Sequence, residues 1–592
     1  MMRILFDLES DGLLDALTKI HCIEIKDIDN GKTKSFSPEN IKDAIPLLEE
    51  AEEIVGHNIL KFDIPALQKV YPKFNPKGKI TDTLICSRLI WTDIKDRDFR
   101  AVHNINYPIK LVGRHSLESW GYRLQLLKGD FAKETDWQNW SEEMQSYCKQ
   151  DVEVTSALYD LIISKKYSDT ALKLEHDFAK CIWEQEKHGF YFDVKAAQKL
   201  YSELASRRQE LLQKLQEVFP VWKKDLGSWT PKRDNKSRGY VAGVAINKYI
   251  DVTFNPASRD HIADRLITLR GWQPKEYTNE GKPKVDESVL NELKYPEAKI
   301  LSEYLMINKR IGQLAEGNQA WLKVEKNGKI YGSVNTNGAV SGRCTHSHPN
   351  VSQVPSVTVP YGLQCRSLFS SPAGYALCGV DVSSLELRVL SHYLQPYDNG
   401  EYIEQILKGD IHTYNQKAAG LETRNIAKTY IFATIYGGGI NRLSEITGKS
   451  LAETKKINAK FLKNVPALKK LKDDVIRTYR KKKYLTGLDG RQLSIRSEHS
   501  CLNTLIQSSG ALIVKQATIN LHEQLCKKLT YGKDFAQVAH IHDEMQLQVK
   551  EGLEDYVGKE ALAAIEKTQQ DFDFRIPLTG EYKIGKTWAD TH

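Results

Sequence analysis

The chain has 592 residues, too many for a single hydrophobic core, so we expect two to four domains. The composition is 41% hydrophobic and 27% charged, and the net charge of +8 permits a polyanionic partner if the basic groups cluster on one surface. The apolar run of a membrane span, the apolar segment of a signal peptide and a CxxC cysteine pair are all missing from the sequence. A membrane protein, a secreted protein and a zinc ribbon are therefore disfavoured, and we expect a cytoplasmic protein with reduced thiols.

The N-terminal part alternates short strand-like and helical stretches up to about residue 165, as in an α/β domain. Residues 3–9 are predicted as a strand with Ile4, Phe6 and Leu8 on one face and Leu5, Asp7 and Glu9 on the other. Long helices are predicted over about 170–219. The stretch 222–250 is rich in Lys and Arg among Gly, Ser, Pro and Asn, which predicts a basic surface loop.

The second half continues with helical patterns at 288–322 and a turn-rich stretch at 332–360. Tyr375–Asp381 is predicted as a buried strand that ends in an acid. Residues 400–530 are mostly helical in pattern, and 535–549 is predicted as two strands around a tight turn.

The first group of candidate site residues lies near the N-terminus. Asp7 and Glu9 are two apart on one strand, so both carboxylates point the same way and suit a hard cation such as Mg²⁺. Asp63 and Asp151 are further candidate ligands, and Tyr147 shares a helix face with Asp151. Such a site would activate a water molecule for attack on a phosphodiester, and Tyr147 would orient that water.

The second group of carboxylates lies in the C-terminal half. Asp381 ends a strand, and Asp543 and Glu544 lie in the predicted turn. Acids on neighbouring strands can meet at a sheet edge and hold two Mg²⁺ ions for nucleotidyl transfer. Ser383 or Ser384 is expected to cap the helix that follows Asp381.

Between these acids lies the segment RNIAKTYIFATIYG. Arg424, Lys428, Phe432 and Tyr436 recur every four residues, so on an α-helix they form one stripe. Two cations followed by two aromatic rings suit an incoming nucleotide, because the cations meet phosphates and the rings meet sugar and base. A solvated basic face that runs into core aromatics is the alternative interpretation of this motif alone.

The segments DVSSLELR, RNIAKTYIFATIYG and HIHDE resemble motifs A, B and C of DNA polymerase family A, in particular the replicative polymerases of T-odd podophages. The N-terminal acids and Tyr147 resemble the DEDD-type 3′→5′ exonucleases that have a tyrosine in their third motif. The resemblance covers nearly the whole chain. It implies a phage DNA polymerase with its own proofreading nuclease, acting in the host bacterial cytoplasm.

The resemblance also implies a fold, an α/β and α+β multidomain chain with a ribonuclease-H-like exonuclease domain and a right-hand polymerase domain. The implied domains are the exonuclease at 1–165, thumb and connecting helices at 166–330, the first part of the palm at 331–400, fingers at 401–532 and the second part of the palm at 533–592.

Individual roles follow from the same resemblance. The implied polymerase metal ligands are Asp381, Asp543 and the carbonyl of Val382, with Glu544 nearby. The implied exonuclease ligands are Asp7, Glu9, Asp63 and Asp151. The residues implied to bind the nucleotide are Arg424, Lys428, His412, Glu386, Phe432 and Tyr436, with Glu386 excluding a ribose 2′-OH. The residues implied to contact the primer-template are Arg343, Gln353, Asn503, Gln507 and His542.

Two Mg²⁺ ions are implied at each site, with Mn²⁺ as a substitute. The implied partners are primer-template DNA, dNTPs, a helicase-primase and a single-strand-binding protein, with the enzyme a monomer. Phe432 stands where a well-known phage member has Tyr, which predicts discrimination against dideoxynucleotides. The short basic loop at 222–250 stands where that member inserts a long thioredoxin-binding segment, so thioredoxin binding is doubtful and direct contact with the DNA backbone is the hypothesis.

Three other functions are alternatives. A single-subunit RNA polymerase shares the two aspartates, but Glu386 and the attached nuclease argue against it. A nuclease whose C-terminal half merely binds nucleic acid is disfavoured by Asp381, Lys428 and Asp543. A catalytically inactive paralogue is disfavoured because no catalytic position is lost.

Overall fold

The computed structural model describes residues 2–101, 107–126 and 136–591. The chain divides into two compact units. The first unit consists of Met1–Phe190, Gly332–Ser352 and Ser371–His592, and the second of Tyr191–Tyr331 and Gln353–Ser370. Within the described ranges, no helix has the length and apolar character that crossing a membrane requires.

The N-terminal part of the first unit is built on a five-stranded mixed sheet. In spatial order its strands are Thr33–Phe36, Ile20–Asp27, Arg3–Ser10, Glu53–Gly56 and Lys79–Asp82. The central strand Arg3–Ser10 pairs antiparallel with Ile20–Asp27 and parallel with Glu53–Gly56. Its apolar side chains enter a buried core while Asp7 and Glu9 stay half-exposed, which confirms the predicted strand and its two faces.

Several helices surround this sheet, and the long helix Asp169–His188 follows them in the sequence. Their bounds are Ala44–Glu50, Asp63–Val70, Thr83–Ile90, Ile94–Ala101, Leu117–Leu124, Glu142–Ser164 and Asp169–His188, with 3₁₀ turns at Ile41–Asp43 and Ile109–Leu111. The last of the seven helices is capped by Ser168, whose hydroxyl accepts a hydrogen bond from the Ala171 amide. It belongs to the same compact unit as the sheets on either side of it in the sequence.

The C-terminal part of the first unit is built on a four-stranded antiparallel sheet. In spatial order its strands are Phe535–Ile541, Glu544–Lys550, Tyr375–Val382 and Gly580–Gly585. The predicted strand that ends in an acid is confirmed, and so are the two strands around a tight turn, which contains His542 and Asp543. Glu544 was expected in this turn but begins the second strand, where it pairs with Asp381. Most residues of the two central strands are buried, whereas Asp381 near the end of its strand is half-buried.

The predicted helical region is also confirmed. The helices around this sheet are Leu385–Asp398, Glu401–Lys408, Ile411–Ala419, Arg424–Ile435, Ile440–Thr447, Leu451–Asn464, Pro466–Lys482, Cys501–Leu525 and Glu554–Asp571, with a 3₁₀ turn at Glu498–Ser500. The short strands are Phe190–Tyr191, Ser333–Asn335, Thr345–Ser347, Tyr484–Thr486 and Gln492–Ser494. One large apolar cluster joins the helices to the sheet.

The second unit is mainly helical. Its helices are Val194–Val218, Arg259–Arg270, Glu287–Glu292, Pro296–Ile311, Trp321–Val324 and Gly362–Ser367, with a π-helical turn at Gly312–Glu316, a 3₁₀ turn at Lys236–Arg238 and a short strand at Lys329–Ile330. A further 3₁₀ turn, Val351–Gln353, begins in the first unit and ends at Gln353. The prediction of a loop at 222–250 is wrong, because Trp222–Trp229 and Ile246–Val252 pair as an antiparallel hairpin. Backbone pairing between the strands satisfies amide groups that a loop would leave to water.

Candidate functional site

Asp381 and Asp543 meet at one edge of the antiparallel sheet. Asp381 lies near the end of a central strand, directly opposite Glu544 on the neighbouring strand. The Val382 amide donates a hydrogen bond to the Asp543 carbonyl oxygen at 3.4 Å. Strand pairing therefore brings together two acids that are far apart in the sequence.

Glu544 has a different environment from the two aspartates beside it. It is buried, and its Oε1 accepts hydrogen bonds of 2.6 Å from Gln546 Nε2 and from the indole Nε1 of Trp588. These contacts tie the turn to the C-terminal segment. Its catalytic role stays a prediction.

Tyr436 and Glu386 form the contact that the resemblance implies around the sugar. The Tyr436 hydroxyl lies 2.5 Å from both carboxylate oxygens of Glu386, and Arg343 Nη2 lies 3.4 Å from Glu386 Oε1. Burial and the hydrogen bond to this carboxylate raise the pKa of Tyr436 well above its ordinary value, so the hydroxyl keeps its proton. Glu386 is thus fixed from two sides.

The predicted stripe lies on the helix Arg424–Ile435, which Tyr436 terminates. The rings of Phe432 and Tyr436 are stacked with centroids 6.3 Å apart, and the His412 ring lies 6.3 Å from that of Phe432. The interpretation as core aromatics is disfavoured, because Tyr436 is 42% exposed and Phe432 is only partly buried.

Cationic groups gather at the other end of this stripe. Burial lowers the pKa of His412, and the nearby Arg424 and Lys428 lower it further. The Nδ1 atom of His412 is buried without a hydrogen-bond partner. Asp410 holds Arg424 through bonds of 2.6 and 3.2 Å, and it also caps the helix Ile411–Ala419. The cluster suits a phosphate chain, and Asp410 was not predicted.

The expectation that Ser383 or Ser384 caps the next helix is wrong. Ser384 occupies the N-cap position, but its side chain makes no capping hydrogen bond and its φ is +52°. A capping side chain normally needs an extended N-cap backbone to reach the free amides. The Ser383 amide instead donates to the Thr579 carbonyl, which pins this turn to the final strand region.

The residues implied to contact the primer-template fall in different places. Asn503 and Gln507 lie one turn apart on the long buried helix Cys501–Leu525, and the Asn503 Oδ1 atom is buried without a hydrogen-bond partner. His542 lies in the turn next to Asp543 with a φ of +59°, and burial and the charge of Arg343 lower its pKa. Gln353 belongs to the second unit, where its carbonyl accepts a bond from Gln313.

The N-terminal carboxylates form a second cluster. Asp7, Glu9 and Cys148 bring one ligand-type atom each within 4.8 Å of one another. The Cys148 thiol lies 3.4 Å from the Asp7 carbonyl oxygen and 3.7 Å from its carboxylate. Cys148 precedes Asp151 on the helix Glu142–Ser164, but the sequence offered no signal for it.

Asp63 and Asp151 adjoin this cluster. Burial, with smaller contributions from the carboxylates of Asp82 and Asp151, raises the pKa of Asp63 to about 8. The Leu8 amide, which lies between Asp7 and Glu9, donates a hydrogen bond to Asp63. All four predicted acids therefore surround the end of the central strand, although Asp63 and Asp151 stand outside the tight group of three.

Tyr147 lies on the same helix as Asp151, as predicted, and its ring lies edge-on to Trp137 with centroids 6.5 Å apart. Asp82 is a missed residue. It is buried, and its carboxylate accepts bonds from the amides of Asn58, Leu60 and Leu84. It therefore fixes the segment that leads to Asp63, and no motif in the sequence distinguishes it.

Both clusters have the chemistry of divalent-cation sites. Carboxylate oxygens are the donors that Mg²⁺ prefers. Buried carboxylates that lie close together, as at Asp63, repel each other when they are ionised. A bound divalent cation offsets this electrostatic repulsion. The donor sets therefore fit metal-dependent phosphodiester chemistry at two places in the first unit.

The folds and the two acidic sites together define a multidomain α/β and α+β polymerase of the right-hand architecture. A family model described as DNA polymerase family A matches residues 237–590. The chain is 37% identical to the DNA-directed DNA polymerase of Escherichia phage T7 over 100% of both chains, and 37% identical to that of Enterobacteria phage T3 over 99% of both. The chain belongs to DNA polymerase family A.

Other relatives agree with this assignment. The DNA-directed DNA polymerase of Escherichia phage Phieco32 is 28% identical over 61% of this chain and 70% of that protein. A solved structure, the POL domain of Pol1 from M. smegmatis in complex with DNA primer-template and dNTP, superposes with a TM-score of 0.72 at 16% identity and covers 100% of this chain and 96% of that chain. The likeness to that structure shows the fold.

Proposed function

We propose that this chain extends a DNA primer on a DNA template and removes mispaired primer ends with a 3′→5′ exonuclease in the same polypeptide, in the replication of a phage genome. The single observation that carries the polymerase is the meeting of Asp381 and Asp543 at one sheet edge. The whole-length similarity to the phage T7 and T3 polymerases supports the same conclusion.

At the polymerase site, Asp381, Asp543 and the carbonyl of Val382 would hold two divalent ions, generally Mg²⁺ in this family. The bound metal would activate the primer 3′-OH and neutralise charge on the triphosphate. Arg424, Lys428 and His412 would bind that triphosphate from the helix side, because they form a cationic cluster with an unsatisfied His412 nitrogen.

Selection against ribonucleotides would rest on Glu386. Its carboxylate is held by Tyr436 and Arg343, so it cannot move aside for an added 2′-hydroxyl without breaking two charge-assisted contacts. An added hydroxyl group beside a fixed carboxylate is crowded out, which separates this site from that of an RNA polymerase.

At the nuclease site, Asp7, Glu9, Asp63 and Asp151 would hold the ions, which supply an activated water for phosphodiester hydrolysis. Tyr147 would orient that water from the neighbouring helix. The clustering of the acids around the end of the central strand supports this proposal.

The hairpin of the second unit would contact the DNA backbone. Between Trp222 and Val252 it carries seven Lys and Arg residues against three Asp residues, and nearly all of its side chains are exposed. Trp229 is 41% exposed, with the Lys248 ammonium 4.7 Å from its ring. Exposed basic and aromatic groups together suit a polyanion, and we propose that this contact takes the place of thioredoxin.

Primer extension and single-strand digestion with Mg²⁺ test the two activities separately. Asp543→Asn is expected to abolish extension and to leave digestion intact, whereas Asp7→Ala with Glu9→Ala is expected to do the reverse. The exposed carboxylates Glu566 and Glu39 supply matched controls as Glu566→Gln and Glu39→Ala. Undiminished extension by Asp543→Asn would refute the polymerase site, and undiminished digestion by the double variant would refute the nuclease site.

A further inference from the structure

The helix Asp169–His188 contacts the sheet that carries Asp543. Gln185 Oε1 accepts a 2.9 Å hydrogen bond from Gln537 Nε2, and the Phe178 ring lies edge-on to His540 with centroids 4.9 Å apart. Both partners lie on the strand that runs directly into the turn containing Asp543. The helix is therefore part of the support of the polymerase site.

The next residue of this helix reaches the segment that leads to Asp63. Glu186 Oε1 and Oε2 accept bonds of 2.7 and 2.6 Å from the Lys61 ammonium. The Lys61 side chain is 26% exposed and that of Glu186 is 11% exposed, so water screens the pair only partly. Lys61 lies two residues before Asp63, in the segment that leads to this proposed metal ligand.

The same carboxylate holds a third element. Glu186 Oε1 accepts a 2.6 Å bond from the Val334 amide, and Lys61 Nζ lies 3.4 Å from the Val334 carbonyl oxygen. Val334 lies on the strand Ser333–Asn335, which pairs with Thr345–Ser347. Arg343, which contacts Glu386, lies between these two strands. One carboxylate thus joins the nuclease segment to the hairpin that carries Arg343.

A second contact of this helix supports the same segment. The His176 Nε2 atom accepts a 2.8 Å hydrogen bond from the Asp82 amide, while its Nδ1 donates to the Leu172 carbonyl at 2.7 Å. The Asp82 carboxylate in turn accepts bonds from the amides of Asn58 and Leu60. Two contacts therefore hold residues 57–63. Glu186 binds Lys61, and the Asp82 carboxylate binds the amides of Asn58 and Leu60.

We propose that Lys61 and Glu186 are positioning residues that hold residues 57–63, and with them Asp63, in register with the polymerase scaffold. The inference rests on the proposed proofreading function. Displacement of a reacting group by about 1 Å can cost on the order of a hundredfold in rate. Breaking this ion pair therefore lowers excision while extension from a paired primer end continues.

The test compares Glu186→Gln, Lys61→Met, the double variant and Lys61→Arg in the full chain. Glu184→Gln is the matched control, because Glu184 lies on the same helix and pairs only with Lys187 among the ion pairs described. We expect Glu186→Gln and Lys61→Met each to lower the kcat of single-strand digestion about tenfold with little change in KM. The kcat of the double variant should be no lower than that of either single variant, and Lys61→Arg should keep most of the wild-type kcat.

Hydrogen–deuterium exchange supplies a readout that does not depend on activity. Exchange in residues 57–63 should rise in Glu186→Gln and Lys61→Met and stay at the wild-type level in Glu184→Gln. Digestion and exchange at wild-type levels in both variants would overturn the positioning role. So would an equal loss of digestion and primer extension, because that result indicates general destabilisation.

Failure of the proofreading proposal can be distinguished from failure of the positioning role. If the wild-type enzyme does not digest single strands with Mg²⁺, the proofreading proposal fails and the inference fails with it. If the wild type digests and the two variants match it, the positioning role alone is overturned.

Discussion

Phe432 is the residue on which we expect the treatment of the 3′ position of an incoming nucleotide to depend. Its ring is stacked on that of Tyr436, is only partly buried, and packs on one side against the large apolar cluster. A phenylalanine ring has no hydroxyl to replace the contact that a missing 3′-OH would have made. The wild-type enzyme is therefore expected to reject dideoxynucleotides.

Phe432→Tyr should relax this discrimination. One added hydrogen bond contributes up to roughly 1.5 kcal/mol, so relative incorporation of ddNTP should rise by up to about tenfold. Single-nucleotide incorporation with ddNTP and dNTP in competition measures the ratio, and the dNTP rate serves as the internal control. Equal use of ddNTP and dNTP by the wild type would contradict the expectation.

We expect His392 to make the stability of the fold depend on pH. Its ring is stacked on Phe574 at 4.3 Å, and its Nδ1 accepts a bond from the Arg575 amide. Burial, with a contribution from the Arg575 charge, lowers the pKa of His392 to about 4. Below the unfolded pKa of about 6.5, the unfolded chain binds a proton that the folded chain does not, so stability falls as pH falls.

The expected loss at pH 5 relative to pH 7.5 is about 2 kcal/mol from this residue. His392→Phe should be less stable at pH 7.5, because the Arg575 amide loses its acceptor, and should lose less on acidification. Urea unfolding of both proteins at the two pH values measures the difference. An acid-induced loss of the same size in both proteins would show that His392 does not contribute.

The exposed hairpin Trp222–Trp229 and Ile246–Val252 is the element on which DNA retention is expected to depend. Replacing its basic residues Lys232, Arg233, Lys236 and Arg238 with Ser should weaken primer-template binding. The slope of log affinity against log salt should fall in magnitude by up to about 4, because each lost phosphate contact contributes about 0.9.

The control is a variant in which four exposed lysines of the N-terminal part are replaced. These are Lys32, Lys34, Lys42 and Lys77. An unchanged salt slope in the hairpin variant would show that the hairpin does not contact the DNA backbone.

Extension of a long template with and without thioredoxin tests whether this enzyme uses thioredoxin as a partner. A marked gain in product length on adding thioredoxin would overturn the expectation that this enzyme does not use it.

Elements also show where sequence patterns succeed and where they fail. The period of two in the strand Arg3–Ser10 and the period of four in the helix Arg424–Ile435 are local, so they predict which side chains share a face. The hairpin was missed because its side chains are almost all exposed, which leaves no alternation of apolar and polar residues to find.

At the scale of the whole molecule, a buried ion cluster links the helix Asp169–His188 to the C-terminal half. Glu175 is fully buried and lies 2.6 Å from both Arg491 Nη2 and Lys515 Nζ. Arg491 also pairs with Asp489. Removing one partner of a buried ion group leaves uncompensated charge in a region from which water is excluded.

Glu175→Gln is expected to destabilise the fold by about 3 to 5 kcal/mol, because Arg491 and Lys515 lose a shared counter-charge. Asp177→Asn, on the same helix but with partners at the surface, should cost less than about 1 kcal/mol. Thermal unfolding of the two variants measures the contrast. Equal stability of the two variants would show that the cluster is not a main support.

The sequence by itself determined the family, the two acidic sites and the stripe from Arg424 to Tyr436, because these depend on residue type and on spacing along one strand or helix. Only the tertiary structure decided which distant side chains meet, as at Lys61 and Glu186 or at Glu544 and Trp588. The physical reason is that short-range spacing is fixed by backbone geometry, whereas contacts between distant segments depend on how whole elements pack.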